Sequence, residues 1–300
     1  MSISVSDLAI NGGAKVAPNG LTLRRLFGID EKQAVMALFD RVTESGSGAM
    51  GYSGVEEEAY CKAFCEMHGG GFADGVNSGT NALFVALGAT DPRPGAEVIV
   101  PPITDPGGAM PVTMLNCIPV SADAEKGSVY NTGPAEIAKV ITPRTHAVIV
   151  AHISGLPVDM DGILALAKKH SLYVIEDCAQ SHLTKYKGRL AGTMGHIAAF
   201  STMFGKQHSS GGQGGIVYTK DEQLYWAARR FADRGKPFGV QSPTSNVVAA
   251  LNCNMDEIHA AIGRVNLSKL PGFIRRRREI AAKVASALEA SCKAVSMVTE

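Results

Sequence analysis

The apolar residues of this chain fall in short, nearly unbroken runs, and amphipathic stretches lie between them. Glu97-Val-Ile-Val100 and Ala147-Val-Ile-Val-Ala-His152 are typical: neither alternates with polar residues. Runs of that kind suit strands buried on both faces, as in a parallel sheet covered by helices. Strands are predicted at 71–76, 97–100, 118–122, 147–152, 173–176, 197–201 and 215–219. Helical spacing fills the gaps at 81–87, 106–115 and 161–170, and Lys168 and Lys169 near the end of the last suit its dipole. Strand and helix alternate, so the fold class is α/β with a mostly parallel central sheet. Residues 238–252, rich in Ser, Pro, Asn and Gly, read as a loop. Residues 255–288 read as one helix, with Arg275–Arg278 on its solvated side.

Composition narrows the function. The 29 Lys+Arg and 28 Asp+Glu nearly cancel, so no strong field exists to collect nucleic acid or an anionic membrane. No apolar run approaches the roughly 18 residues of a membrane span. Residues 1–13 carry neither a basic segment nor an apolar core, so no secretory signal is expected and the protein is expected in the cytoplasm. The cysteines, at 61, 65, 117, 178, 253 and 292, include no C-x-x-C pair and read as free thiols. Cys61 and Cys65 share a helical face near His68, but a zinc site would need further ligands, and no metal is expected. Met110, Met114, Met160, Met194 and Met203 read as core filler.

Three segments carry chemistry. In Val174-Ile-Glu-Asp-Cys-Ala-Gln180 an apolar strand ends on Asp177, at the edge where ligands of open α/β sheets bind. Taken alone, Asp177 fits a helix cap equally well. Lys206 lies between a strand and the loop Gln207-His-Ser-Ser-Gly-Gly-Gln-Gly-Gly215, which allows close backbone approach to a flat or phosphorylated ligand. By itself that lysine would read as solvated. Asn77-Ser-Gly-Thr-Asn81 joins a strand to a helix, either as a phosphate cradle or as an ordinary cap. In this order, cradle, acid and lysine suit a pyridoxal phosphate enzyme, where lysine forms a Schiff base and an acid pairs with the pyridine nitrogen.

Over nearly its whole length the chain resembles the DegT/DnrJ/EryC1/StrS family of sugar aminotransferases. The resemblance rests on Gly51-Tyr-Ser-Gly-Val-Glu56, Asn77-Ser-Gly-Thr-Asn-Ala-Leu83, Val98-Ile-Val-Pro-Pro-Ile-Thr104 and His152-Ile-Ser-Gly-Leu-Pro-Val-Asp-Met-Asp161. It continues through the Asp177 segment, Ala199-Phe-Ser201 with Lys206, and Asn252-Cys-Asn-Met-Asp-Glu257. It implies the three-layer αβα fold of type I pyridoxal phosphate enzymes. By the same resemblance Lys206 would hold the cofactor and move protons. Asp177 would keep the pyridine nitrogen protonated, and Gln180 would touch the ring hydroxyl. Ser201, Gly79 and Thr80 would bind the phosphate, and Asn252 or Asn254 would reach the phosphate of a second subunit in a homodimer. The implied reaction moves an amino group from glutamate or glutamine to a keto-sugar, a nucleotide-linked keto-sugar or a cyclitol ketone. Tyr52 and His182 are further candidates for the substrate side, and His152 reads as a buried, hydrogen-bonded histidine.

Three departures qualify the resemblance. Asp105 stands where the family usually stacks an aromatic residue on the ring, and an aspartate cannot stack so. Gln213 replaces an acid in the loop after Lys206. Third, the small domain is expected to be incomplete: the expected division is a cofactor-binding domain over 1–252 and the start of a small domain over 253–300. Two alternatives follow: dehydration or other chemistry on the same fold, and a cofactor-binding regulatory protein without turnover. Dehydratases of this kind carry histidine in place of the lysine, so Lys206 favours transamination.

Overall fold

The computed structural model describes residues 8–291, apart from 16, 21–24, 47–48, 127–129 and 244. Cys292 and the last part of the expected small domain lie outside the described residues. Among the described residues, nine strands and eight α-helices follow one another: α1 (Ile29–Glu44), α2 (Val55–Met67), β1 (Phe72–Val76), α3 (Gly79–Gly88), β2 (Glu97–Val100), α4 (Met110–Met114), β3 (Ile118–Ser121), α5 (Pro134–Val140) and β4 (Thr145–Ala151). After these come α6 (Met160–His170), β5 (Tyr173–Asp177), β6 (Lys185–Tyr186), β7 (Arg189–Leu190), β8 (Ile197–Ser201), β9 (Gly215–Thr219), α7 (Glu222–Ala232) and α8 (Glu257–Ser291).

Seven strands form one sheet in the order β1-β9-β8-β5-β4-β2-β3, and β6-β7 is a separate hairpin. β8, β5, β4, β2 and β3 are mutually parallel, and β9 runs against both its neighbours. The mostly parallel α/β sheet expected from the sequence is therefore the one observed. Alternate side chains of the strands point to opposite faces. Val98, Val100, Ile149, Ile175 and Ile197 pack with α3 and α7 residues such as Leu87 and Phe231. Ile99, Val148, Val150 and Val174 pack with Ile137 of α5 and Ile163 of α6. Phe200, Ile216 and Tyr218 pack with Tyr60 and Phe64 of α2 and Leu267 of α8. Each such fully buried side chain contributes about 1.5–3 kcal/mol of hydrophobic stabilisation.

Some elements differ from the periodicity. The expected helix over 106–115 is broken into a 3-10 turn, Pro106–Gly108, and α4. Pro111 cannot donate a backbone hydrogen bond, so it begins a new helix and cannot continue an old one. Met110 and Met114 are exposed, so they are not core filler, whereas Met160 is fully buried. α1 and α7 lie in stretches with no predicted element. α1 buries only Glu31 and Leu38, and Lys269 of α8 holds it by ion pairs to Asp30 and Glu31. The loop over 238–252 and the exposed Arg275–Arg278 agree with expectation.

Glu57 of α2 and Asp74 of β1 are both buried, and Arg229 of α7 lies 3.2 Å from Asp74. Burial and then the Asp74 charge push Glu57 up to about 7. Burial pushes Asp74 up to about 6 against the pull of Arg229. An acid with a raised folded pKa holds its proton more tightly when folded. Its contribution is therefore present below about 4.5 and lost as pH climbs to about 7. Glu57→Gln should flatten that fall and exceed wild type at pH 8 by on the order of 1 kcal/mol in urea unfolding. A variant less stable than wild type at both pH 5 and pH 8 would count against this account.

Candidate active site

The site assembles where parallel strands end. Asp177 closes β5, Ser201 closes β8, and β1 leads into α3 through Asn77 and Ser78. Thr104 and Asp105 follow β2, and His152 follows β4. Five carboxyl edges therefore converge, as open α/β sheets dictate. Gly79, Thr80, Asp105, Asp177, Ser201, Met203, Lys206 and Gln213 are among the residues lining one cavity of about 180 Å³. A small adjoining cavity shares Asp105, Asp177 and Lys206 and adds Gln180 and His152.

At one end, Ser78 caps α3 by accepting the Asn81 N–H at 3.1 Å. The first turn of this ten-residue helix thus opens toward the cavity at Gly79 and Thr80. Its unpaired N–H groups and positive dipole end suit a phosphate. A Cβ on Gly79 would come within 2.6 Å of the Ser201 Cβ, so only glycine lets Ser201 sit against the helix start. At the other end, Asp177 is buried and accepts the Ala179 N–H at 3.0 Å. Burial pushes its carboxyl above the usual range, against the pull of that bond, Lys206 and His152, and Asp105 adds to the rise. A buried carboxylate of this kind gains from a cation with an N–H, which a protonated pyridine supplies. A phosphate seat, a buried acid and an amine on one cavity fit pyridoxal phosphate.

Lys206 sits on the turn after β8, where its N–H bonds the Met203 carbonyl at 2.9 Å. Gln213 joins the lining through the same loop. Asp105 has a structural task as well as a place in the cavity. Its Oδ1 accepts the Gly107 N–H at 2.9 Å and caps the 3-10 turn. It therefore shapes the wall where an aromatic ring would otherwise stack. The Gln180 Oε1 accepts the Ser154 N–H at 2.9 Å, which fixes the side chain at the cavity edge.

A model of the DegT/DnrJ/EryC1/StrS aminotransferase family matches residues 30–300. The chain belongs to this family. It is 35% identical over 252 residues to dTDP-3-amino-3,4,6-trideoxy-alpha-D-glucose transaminase of Streptomyces venezuelae, covering 84% of this chain and 64% of that protein. It is 37% identical over 218 residues to GDP-perosamine synthase of Escherichia coli O157:H7, covering 73% of this chain and 59% of that protein. Among solved structures, an aminotransferase from Psychrobacter cryohalolentis superposes with a TM-score of 0.79 at 36% identity, covering 88% of this chain and 67% of that one. The chain thus spans less than two thirds of the length of these two curated relatives.

Within this family member several candidates lie apart from the cavity lining. Asn252 and Asn254 bond one another, Asn254 Nδ2 to Asn252 Oδ1 at 2.7 Å, beside Asp233 and Val76. The Tyr52 hydroxyl accepts from Arg234 at 2.6 Å and Lys236 at 2.7 Å. His182 is buried and donates from Nε2 to the Ser201 carbonyl at 2.9 Å, so it braces the phosphate end from behind. Burial pushes it down to about 4, so it is neutral. His152, in contrast, lines the adjoining cavity and is fully bonded, as expected: Val158 donates to Nδ1 at 3.2 Å, and Nε2 donates to Glu176 at 3.0 Å.

His152, Glu176 and Cys178 form the one grouping of potential metal ligands among the described residues. Glu176 also accepts from the Gly192, Met194 and Gly195 amides, so no oxygen is left for an ion. His68 bonds the Phe64 carbonyl at 2.8 Å and does not join Cys61 and Cys65 in a site. Cys61, Cys65, Cys117, Cys178 and Cys253 are free thiols. No described helix is long and apolar enough to cross a membrane.

Proposed function

We propose that this protein is a pyridoxal phosphate-dependent aminotransferase that moves an amino group from glutamate or glutamine to a keto-sugar, a nucleotide-linked keto-sugar or a cyclitol ketone. One observation carries the reading: Lys206, Asp177 and the Gly79–Thr80–Ser201 seat line a single cavity. Pyridoxal phosphate, when bound, supplies an electron sink that stabilises negative charge at the substrate carbon. The α3 N-terminus and Ser201 hold the phosphate. Asp177 holds a proton on the ring nitrogen, and Gln180, with its oxygen engaged by Ser154, offers its amide nitrogen to the ring hydroxyl. Lys206 would hold the cofactor and would move a proton between the substrate carbon and the cofactor carbon.

The histidine-type dehydratase reading has less support. The nearest histidine in sequence, His208, is fully buried and bonded to Tyr60 and Asn266, outside the cavity lining. Asp105 has a capping role that needs no altered reaction. We further propose a cytoplasmic homodimer in which Asn252 or Asn254 serves the partner's phosphate. Both asparagines lie outside the lining of this chain's own cavity, which supports that reading. Residues 1–252 would bind cofactor and 253–300 would open a small domain.

Absorbance of the protein with pyridoxal phosphate tests the proposal. A visible band that borohydride fixes on Lys206, and that glutamate or glutamine bleaches with formation of pyridoxamine phosphate, is expected. Attachment without bleaching by either donor would favour the regulatory reading.

A further inference from the structure

His208 follows Lys206 by two residues, yet its side chain is sealed inside the protein. It sits in a run of polar groups, Ser210, Thr202, Tyr60, His208 and Asn266, each fully buried. Their hydrogen bonds can be oriented. Asn266 Nδ2 donates to the Leu26 carbonyl at 3.1 Å, which sets the amide's orientation. Its Oδ1 accepts the Ser209 N–H at 3.0 Å and lies 3.3 Å from His208 Nδ1. An amide oxygen only accepts, so Nδ1 carries the imidazole proton. Burial, followed by His182, pushes His208 down to about 3, so the ring is neutral and Nε2 is an acceptor. The adjacent Tyr60 hydroxyl therefore donates to Nε2. Beside this pair, the Thr202 Oγ1 lies 2.7 Å from the Ser210 hydroxyl. The oriented part runs one way, from Tyr60 through His208 to Asn266, and the Ser210 hydroxyl also reaches the Thr202 carbonyl at 3.3 Å.

This buried group spans four elements. Thr202 directly follows Ser201 at the end of β8, Ser210 and His208 belong to the lysine loop, Tyr60 is on α2 and Asn266 on α8. The loop's backbone bonds, Thr202 N–H to Gly214, Ser210 N–H to Thr202 and Phe204 N–H to Gly212, join it to itself. Asn266 of α8 ties it to the helical layer through its bonds to His208 and Ser209. α8 comes close enough to make them because Gly263 lacks a Cβ, which would lie 2.7 Å from the Tyr60 ring and 3.1 Å from the Ser210 Cβ.

We propose that this buried chain holds the loop of Lys206 in register with the cavity, so that His208 and Asn266 are positioning residues for the lysine. The inference rests on the aminotransferase reading above. A proton-transferring amine must stand within about 3–3.5 Å of its carbon, and a misplacement of about 1 Å costs on the order of 100-fold. Fully satisfied buried networks give that kind of rigidity.

The test uses Tyr60→Phe, Asn266→Ala, their double variant and His208→Gln, which keeps an acceptor for Tyr60. Two readouts are taken: amide hydrogen exchange over 203–213 in the cofactor-free protein, and the rate of borohydride-fixable attachment of pyridoxal phosphate to Lys206. Each single variant at 60 and 266 should raise loop exchange and slow attachment by about tenfold. His208→Gln should recover most of the wild-type values. The double variant should be no worse than the more severe single one, because both cut the same chain. Wild-type loop exchange in folded variants, or additive losses in the double variant, would overturn the proposal. Tyr60→Phe keeps the ring in the core, so it gives a folded arm even where Asn266→Ala does not. Failure of wild type to take up the cofactor would remove the aminotransferase reading, and the exchange data would still decide whether the chain holds the loop.

Discussion

Lys206→Ala is expected to lower transamination by about 10⁴-fold or more while leaving the protein able to bind pyridoxal phosphate. Two losses combine: the covalent hold on the cofactor, and the amine that moves the proton between substrate and cofactor carbons. No other base in the cavity lining replaces it. Asp105 is engaged in capping the Pro106–Gly108 turn, Asp177 would be committed to the ring nitrogen, and His182 and His208 are bonded inside the protein. Phosphate binding should persist because Gly79, Thr80 and Ser201 belong to α3 and β8, upstream of the lysine turn. Stopped-flow absorbance during one turnover with glutamate or glutamine measures the first effect, and a thermal shift with cofactor measures the second. Turnover within tenfold of wild type would show that a different group carries the proton, and the assignment of Lys206 would fall.

Asp177→Asn should lower turnover by about 10²–10³-fold, the range for removing one preorganised electrostatic partner from a buried site. An asparagine keeps the shape but no longer holds the ring nitrogen's proton. The same variant should behave oppositely without cofactor. Burial raises the Asp177 carboxyl, so folding favours its protonated form. Its stabilising contribution is thus full below the unfolded pKa and is lost as pH rises through the folded one. Asp177→Asn escapes that loss, so the cofactor-free variant should melt above wild type at pH 8 and show no such gain well below the carboxylate range. Added pyridoxal phosphate should then raise the wild-type Tm more than the variant's, because a pyridinium N–H compensates the carboxylate. Melting curves at both pH values, with and without cofactor, measure all of this. Equal turnover, or a cofactor-free variant less stable than wild type at pH 8, would show that Asp177 does not face the ring nitrogen.

Much of the candidate site is legible in the sequence. Asp177, Lys206 and the Asn77–Asn81 turn announce themselves locally: an acid at the end of an apolar strand, a lysine entering a glycine-rich loop, a serine before a helix. Each signal lies within a few residues. Asp105 was readable only as a departure, because its cap is made with an amide two residues away in a turn that periodicity assigned to a helix. α1 was unreadable for another reason. It buries little apolar surface and is held by ion pairs to Lys269, more than two hundred residues later. The partners of Tyr52 and His182 were not legible either, since nothing in their sequence neighbourhoods shows that Arg234, Lys236 and the Ser201 carbonyl would claim them.

The sequence by itself determined the α/β class, the succession of strands in the central sheet, the family, and the types and order of the candidate site residues. These follow from periodicity, capping and loop composition, which act over one or two turns of chain. The tertiary structure alone decided that four strand ends share one cavity and a fifth lines its small neighbour, that His152 and Glu176 close on each other, and that His208 turns inward to Tyr60 and Asn266. Those outcomes depend on strand order and helix packing, which bring together groups as far as 148 residues apart. Burial then sets their chemistry, and no local pattern records how deeply a side chain will be buried or what will lie against it.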